Sequence, residues 1–295
     1  MAAGTPLNKV LSLNVGCRDG LFSDKIKQYY HLDKKSRIED ENVRALLDAK
    51  SRKQYDEAVD DVTRSLITQF GVFLKNLSGE GFVLLLLQEC PAGEAENMFE
   101  ALFSDAGYSC RFGRESGCGV AWLNTSGLLS VGYDEHVAPN YFHVEFNFNG
   151  FQLNVFSCHL SGYIISDYND QRVDEQRNDR ELVTILGVAN EFHTFARSVK
   201  SMLGLEKKSL TILGGDFNSL PEHGTRSQLT SRSWSAIEPQ RTAYSGALDQ
   251  VYLRGAGTIH SIYDQSDIAR MYIDAESVSL GCSDHHPYSC GFRFK

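Results

Sequence analysis

At least eight short β-type runs are spread along the chain, and they limit its fold more than any other feature. Phe82 to Leu87 is continuously apolar, as in a strand covered on both faces. Lys9 to Val15, Gly119 to Leu123, Leu210 to Leu213, Leu248 to Leu253 and Tyr288 to Phe294 are comparable runs. Tyr141 to Phe148 and Phe151 to Phe156 alternate. The Asn149-Gly150 pair between them is the two-residue signal of a type I′ hairpin. Helical spacing relates Val62, Leu66, Phe70, Phe73, Leu74 and Leu77, and recurs over Glu94 to Phe103 and from Leu182 to Leu203. Hairpins mixed with β-α-β units predict an α/β protein with mixed sheets rather than a purely parallel doubly wound fold.

The 295 residues contain no internal repeat, low-complexity tract or Pro/Gly/Ser linker, so one domain over 1–295 is expected. A stretch dense in charge of both signs, about 18–60, reads as an insertion. It is either a solvated surface excursion or a lid that chooses substrate, because it directly follows a strand carrying a candidate catalytic residue. No apolar run is long enough to span a membrane, and MAAGTPLNKV lacks the pattern of a signal peptide. An intracellular location, cytoplasmic or nuclear, is therefore expected, with non-Sec secretion equally compatible. Seven cysteines, an odd number without a CxxC, predict buried free thiols in a reducing compartment rather than a zinc cluster. Lysine and arginine total 29 against 38 aspartate and glutamate, a net charge of −9. That excludes a general nucleic-acid binder, but not a nuclease with a local basic rim and a bound cation. Oligomeric state is open.

Polar residues recur where the apolar runs end. Asn14 ends KVLSLN, Glu89 ends FVLLLLQE and His159 ends FQLNVFSCH. Asp216 and Asn218 follow LTILGG, Asp249 sits in GALDQVYL, and Asp284 and His285 precede the last run. Strand ends point to one rim of a sheet, so these groups can converge without being close in sequence. Singly, Asn14 or Asp216 could serve an Asx-turn and His159 could be a core histidine. A carboxylate such as Glu89 at the edge of a core is usually paired or metal-bound. His286 competes with His285 for the role of working imidazole.

At these residues the chain resembles the endonuclease/exonuclease/phosphatase superfamily. The matching segments are LSLNV, LLLLQE, SCHL, GGDFNSLP, ALDQVYL and SDHHP, in the family's order from Leu11 to Pro287. The resemblance implies a four-layered α/β sandwich, two mixed sheets face to face with helices outside. It implies a hydrolase of phosphoester bonds dependent on Mg²⁺ or Mn²⁺, which suits a donor set of hard oxygens. Glu89 and Asn14 would hold the metal, with Asp284 adding a ligand directly or through water. Asp216 would orient or deprotonate the attacking water, and Asn218 would hold that water or a phosphate oxygen. His159 and His285 would donate to the non-bridging oxygens, with Asp249 orienting His285.

By motif the chain is nearest to the deadenylase and tyrosyl-DNA phosphodiesterase branches, through GDFNSLP and HLSGY. The Trp before GDxN that marks inositol 5-phosphatases is absent, as is the Pro-Asn strand end of apurinic endonucleases. Arg172, Arg177 and Arg180 after His159, and Trp234 after Asn218, are candidate substrate contacts. Arginine grips phosphate and tryptophan stacks on bases. A nuclease or phosphodiesterase acting on nucleic acid is the first expectation. The alternative is a phosphatase or phosphodiesterase of a phospholipid, inositol phosphate or other small phosphoester. A catalytically dead binding module fits less well, because every polar position of the pattern is present.

Overall fold

The computed structural model describes residues 7–17, 21, 52–137, 139–148, 150–161, 177–189, 208–218, 229, 232–237, 249–262 and 287–294, with backbone alone for 52–59, 61 and 62. In chain order the strands are β1 (Asn8–Asn14), β2 (Phe82–Gln88), β3 (Tyr108–Phe112), β4 (Gly119–Leu123), β5 (Leu129–Val137), β6 (Asn140–Phe148), β7 (Phe151–His159), β8 (Ser209–Asp216), β9 (Ser235–Ala236), β10 (Asp249–Gly255), β11 (Gly257–His260) and β12 (Tyr288–Phe294). The helices are α1 (Arg52–Gly79), α2 (Glu94–Asp105) and α3 (177–189). α1 begins inside the charged stretch at 18–60, whose residues 18–20 and 22–51 lie outside the described residues.

One sheet has the order β11-β12-β1-β2-β4-β3 and the other β5-β6-β7-β8-β10-β9. β1 and β2 are parallel, as are β7 and β8; β12 runs antiparallel to β1, and β10 to β8. β6 and β7 form the expected tight hairpin, with Phe148 opposite Phe151.

Period-two burial sorts β2 onto two cores at once. Leu84 and Leu86 point into the layer between the sheets, with Val10, Val120, Phe142, Val144, Val155, Ile212 and Val251. Leu85 and Leu87 point outward, with Phe82 brought to the same side by the register shift before Leu84, under Leu66, Phe70, Phe73, Leu74 and Leu77 of α1 and Phe99 and Phe103 of α2. Those α1 residues fall on one helical face because their spacing is three and four. Phe70 stacks on Phe99 at 5.6 Å, and each buried ring of this kind is worth about 1.5–3 kcal/mol. On the far side, Leu182, Ile185, Leu186 and Ala189 of α3 cover Phe156, Leu213 and Tyr252. Helices, sheet, sheet and helix make a four-layered α/β sandwich.

Near the rim the two sheets are in close contact at Gly214 of β8. A Cβ on Gly214 would stand 2.6 Å from Leu86 Cδ1, so only glycine admits that neighbour. Gly215 has φ 147, and a Cβ there would be 1.9 Å from Cys158 O. The Gly-Gly pair before Asp216 is therefore a packing requirement of β8 against β2 and β7.

Candidate functional site

β1, β2, β7 and β8 all run toward one rim, and β10 and β12 start from it. The side chains at those ends converge. Asn14 Nδ2 donates to Asp216 Oδ2 at 3.3 Å, across the gap between the sheets. His159 Nε2 stands 3.6 Å from Glu89 Oε1 and 3.7 Å from Asp216 Oδ2. Asp249 lies directly opposite Asp216 in the β10–β8 register and is fully buried. Asn218 completes the group: its N–H donates to Asp216 Oδ1 at 2.8 Å, and its Nδ2 donates to Leu160 O at 2.9 Å. Arg172, Asp284, His285 and His286 lie outside the described residues.

The backbone is bent to present Glu89. Its φ is 55, in the left-handed region, which costs a non-glycine residue roughly 1–2 kcal/mol. Neighbouring segments hold it there. Cys17 N donates to Glu89 O at 2.8 Å, and Cys90 N donates to Gly117 O at 2.8 Å. The loop carrying Gly117 is itself gripped by Glu135 of β5, which accepts the N–H groups of Glu115 and Ser116, each at 2.8 Å. Burial acts to raise the Glu135 carboxyl, but those backbone donors outweigh it and hold it below its ordinary range.

One layer beneath the rim the sheets are joined by buried polar groups. Gln88 Nε2 donates to Ser157 Oγ at 2.9 Å, and Ser157 Oγ donates to Leu87 O at 2.8 Å. Ser12 Oγ donates to Gln88 Oε1 at 3.4 Å. Four buried thiols lie close by: Cys17, Cys90, Cys118 and Cys158. Burial first, then neighbouring thiols and carboxylates, push those of Cys90, Cys118 and Cys158 well above the ordinary range. They are uncharged and unreactive as they stand.

α3 supplies residues that the sequence pattern did not single out. Asn178 Nδ2 donates to Phe217 O at 2.6 Å and to Ser161 O at 3.3 Å. Glu181 accepts Ser161 N at 2.8 Å and Ser161 Oγ at 2.6 Å. Arg177 is exposed and pairs with Glu181 at 3.1 Å, and Arg180 is exposed beside it. Trp234 requires a correction. It is 3% exposed and packs with Phe217, Leu229 and Tyr252, so neither face of its ring is free to stack on a base. Its size drove it into the core of the second sheet's outer layer.

The donor set fits a hard divalent cation. Glu89 offers a carboxylate that is 17% exposed at the rim, and Asn14 Oδ1, which accepts Gly16 N at 3.0 Å, keeps a second lone pair. Among the described residues no group of three or more histidine, cysteine, aspartate or glutamate side chains gathers as a chelating cage. One or two carboxylates completed by waters and a phosphate is how Mg²⁺ is bound, and thiolate-rich cages are how structural zinc is bound.

The model of the Endonuclease/Exonuclease/phosphatase family matches residues 11–285. No curated protein is significantly similar to the chain in sequence. Several solved structures share the fold. The human Nocturnin catalytic domain with a bound sulfate anion is 14% identical, with TM-score 0.56, covering 98% of this chain and 94% of that one. ANGEL2, a 2',3'-cyclic phosphatase in complex with adenosine-2',3'-vanadate, is 14% identical with TM-score 0.63, covering 98% and 96%. D. rerio TDP2 complexed with single strand DNA product is 15% identical with TM-score 0.55, covering 97% and 99%.

Proposed function

The chain belongs to the Endonuclease/Exonuclease/phosphatase family, hydrolases of phosphoester bonds, and on that premise we propose that it is a divalent-metal-dependent phosphodiesterase of nucleic acid. One observation carries the reading. An imidazole from the second sheet, His159, sits 3.6 Å from a carboxylate of the first, Glu89, and 3.7 Å from one of its own, Asp216. Such a grouping has both anionic oxygens for a cation and a donor for a phosphate.

Phosphoesters hydrolyse so slowly in water that the barrier must fall by roughly 20 kcal/mol. Mg²⁺ or Mn²⁺, when bound, would supply charge neutralisation at the phosphate and Lewis acidity. Glu89 and Asn14 would hold that ion, with Asp284. Asp216 is fixed by the N–H groups of Asn14 and Asn218 and receives the proton of the attacking water. His159 and His285 donate to the non-bridging oxygens as charge builds there. Asp249 orients His285. Asn218 holds the water or a phosphate oxygen. Arg172, Arg177 and Arg180 supply positive charge for a polyanionic strand in an otherwise acidic chain. Two structures of the same fold hold nucleotide ligands, a single strand DNA product in one and adenosine-2',3'-vanadate, with vanadate in place of phosphate, in the other, and they support this choice over a lipid.

The test is turnover of labelled DNA, RNA, poly(A) and phospholipid with added Mg²⁺, run beside Glu89→Ala. Cleavage of a nucleic acid that chelator and Glu89→Ala both abolish is the expected result. Turnover of phospholipid alone would replace the substrate class. Absence of turnover on every substrate would end the reading.

A further inference from the structure

We infer that Asn178 is a positioning residue that sets the spacing of His159 and Asp216, an inference that rests on the phosphoesterase reading above. The two side chains leave the ends of neighbouring parallel strands, and each strand passes at once into a loop. Loops of this kind are the least constrained part of a sheet rim. Here the two loops are laced together. Leu160 N donates to Asp216 O at 2.9 Å, and Asn218 Nδ2 donates to Leu160 O at 2.9 Å. Asn178 closes the lacing from outside. It is 1% exposed, and its Nδ2 carries two hydrogens that serve the carbonyls of Phe217 and Ser161, at 2.6 and 3.3 Å. Phe217 follows Asp216 directly, and Ser161 is two residues beyond His159. One side chain thus ties both loops to α3, a rigid element anchored in the core by Leu182, Ile185 and Leu186. Glu181, one turn further along the same face, holds Ser161 by its N–H and its hydroxyl.

A carboxamide is the group this place requires. Aspartate has the same shape, but it aims lone pairs, not hydrogens, at two carbonyl oxygens. Asn178 touches neither substrate nor metal in this reading. Its effect passes through the loops to the reacting groups, where a displacement of about 1 Å is worth roughly 100-fold in rate.

The test is Asn178→Asp in the full chain, on the substrate that the wild type turns over best. The expected result is a protein that folds, with kcat lowered on the order of 10- to 100-fold. KM and the Mg²⁺ concentration for half-activation are expected to stay within about twofold, since uniform binding is untouched. A second measurement needs no turnover. In protein labelled at histidine Cε1, the His159 signal, identified with His159→Gln, is expected to move. The signal of His260, which sits on β11 of the other sheet beside Thr258, is expected to stay. Wild-type kcat, or an unmoved His159 signal, in folded Asn178→Asp overturns the inference. If Asn178→Asp does not fold, Glu181→Ala removes the outer half of the same tie. It is then expected to move the His159 signal and lower kcat roughly 10-fold, and no change in either overturns the inference. Absence of turnover in the wild type would count against the phosphoesterase reading alone, and the histidine signals would still decide the role of Asn178.

Discussion

The two sheets have the same plan and unlike chemistry. From the second strand at one edge to the opposite edge, β12-β1-β2-β4-β3 and β10-β8-β7-β6-β5 have the same sequence of parallel and antiparallel neighbours. β1 corresponds to β8 and β2 to β7. The corresponding rim residues are the ones that meet: Asn14 with Asp216, and Glu89 with His159. Equal backbones thus deliver an amide and a carboxylate from one side, and a carboxylate and an imidazole from the other. They are also secured differently. The Glu89 turn is held by two main-chain bonds, Cys17 N to Glu89 O and Cys90 N to Gly117 O, with Gly117 at φ 64, whereas the loops of His159 and Asp216 have one, Leu160 N to Asp216 O, and rely besides on side chains of α3 and of Asn218. On the first side one side chain, Glu135, steadies the supporting loop; on the second three do, Asn178, Glu181 and Asn218, so more side-chain changes reach the second half of the rim.

The largest effects are expected from removing one member of the Glu89–His159 pair. Glu89→Ala and His159→Gln are each expected to lower turnover on the order of 1,000-fold. They differ in their response to cation. Glu89→Ala shifts the Mg²⁺ titration of activity strongly, and His159→Gln leaves its midpoint near the wild-type value. Equal shifts in both would erase the division of labour between the sheets.

Next is Gly215→Ala. Its Cβ would overlap Cys158 O at 1.9 Å and would have to adopt φ 147, so urea unfolding is expected to show a loss of about 4 kcal/mol or more. Leu13, the residue at the matching place on β1, loses about 2–5 kcal/mol as alanine through the cavity left in the core, with no added atom to clash. A mild Gly215→Ala would mean that β8 is no more constrained than β1.

The smallest effect is a pH dependence confined to the second sheet. Burial is the main force on His143, and it holds the ring down to about 4 despite the Asn154 contact and the charge of Asp134. The unfolded ring titrates near 6.5, so as pH falls from about 6.5 to 4 the unfolded state takes up a proton that the native state refuses. Stability from this ring is present above the unfolded value. It is lost as pH falls through the window, by at most about 3 kcal/mol. Denaturant unfolding across that window is expected to flatten in His143→Phe. An unchanged slope would show that the ring is not what makes this face acid-sensitive.

The rim was legible because apolar runs end abruptly. Asn14, Glu89, His159, Asp216 and Asn218 announce themselves as polar residues closing hydrophobic segments. What crosses between segments was not. No local pattern says that Asn14 faces Asp216 across the sheets, since that contact spans 202 positions. Asn178 and Glu181 lie just before the apolar repeat that begins at Leu182, where polarity alone does not tell a buried tie from an exposed side chain. β5 escaped notice for a different reason. It is an exposed edge strand with a bulge between Ser130 and Gly132, and acidic residues interrupt its alternation. Trp234 misled because large aromatics suit both stacking and burial, and only packing separates the two.

The thiols behind the rim give the molecule a built-in clock. Shielded and protonated, Cys90, Cys118 and Cys158 meet an alkylating reagent only when the end of the sandwich parts. The pace of their modification therefore counts those excursions, residue by residue, with no label added.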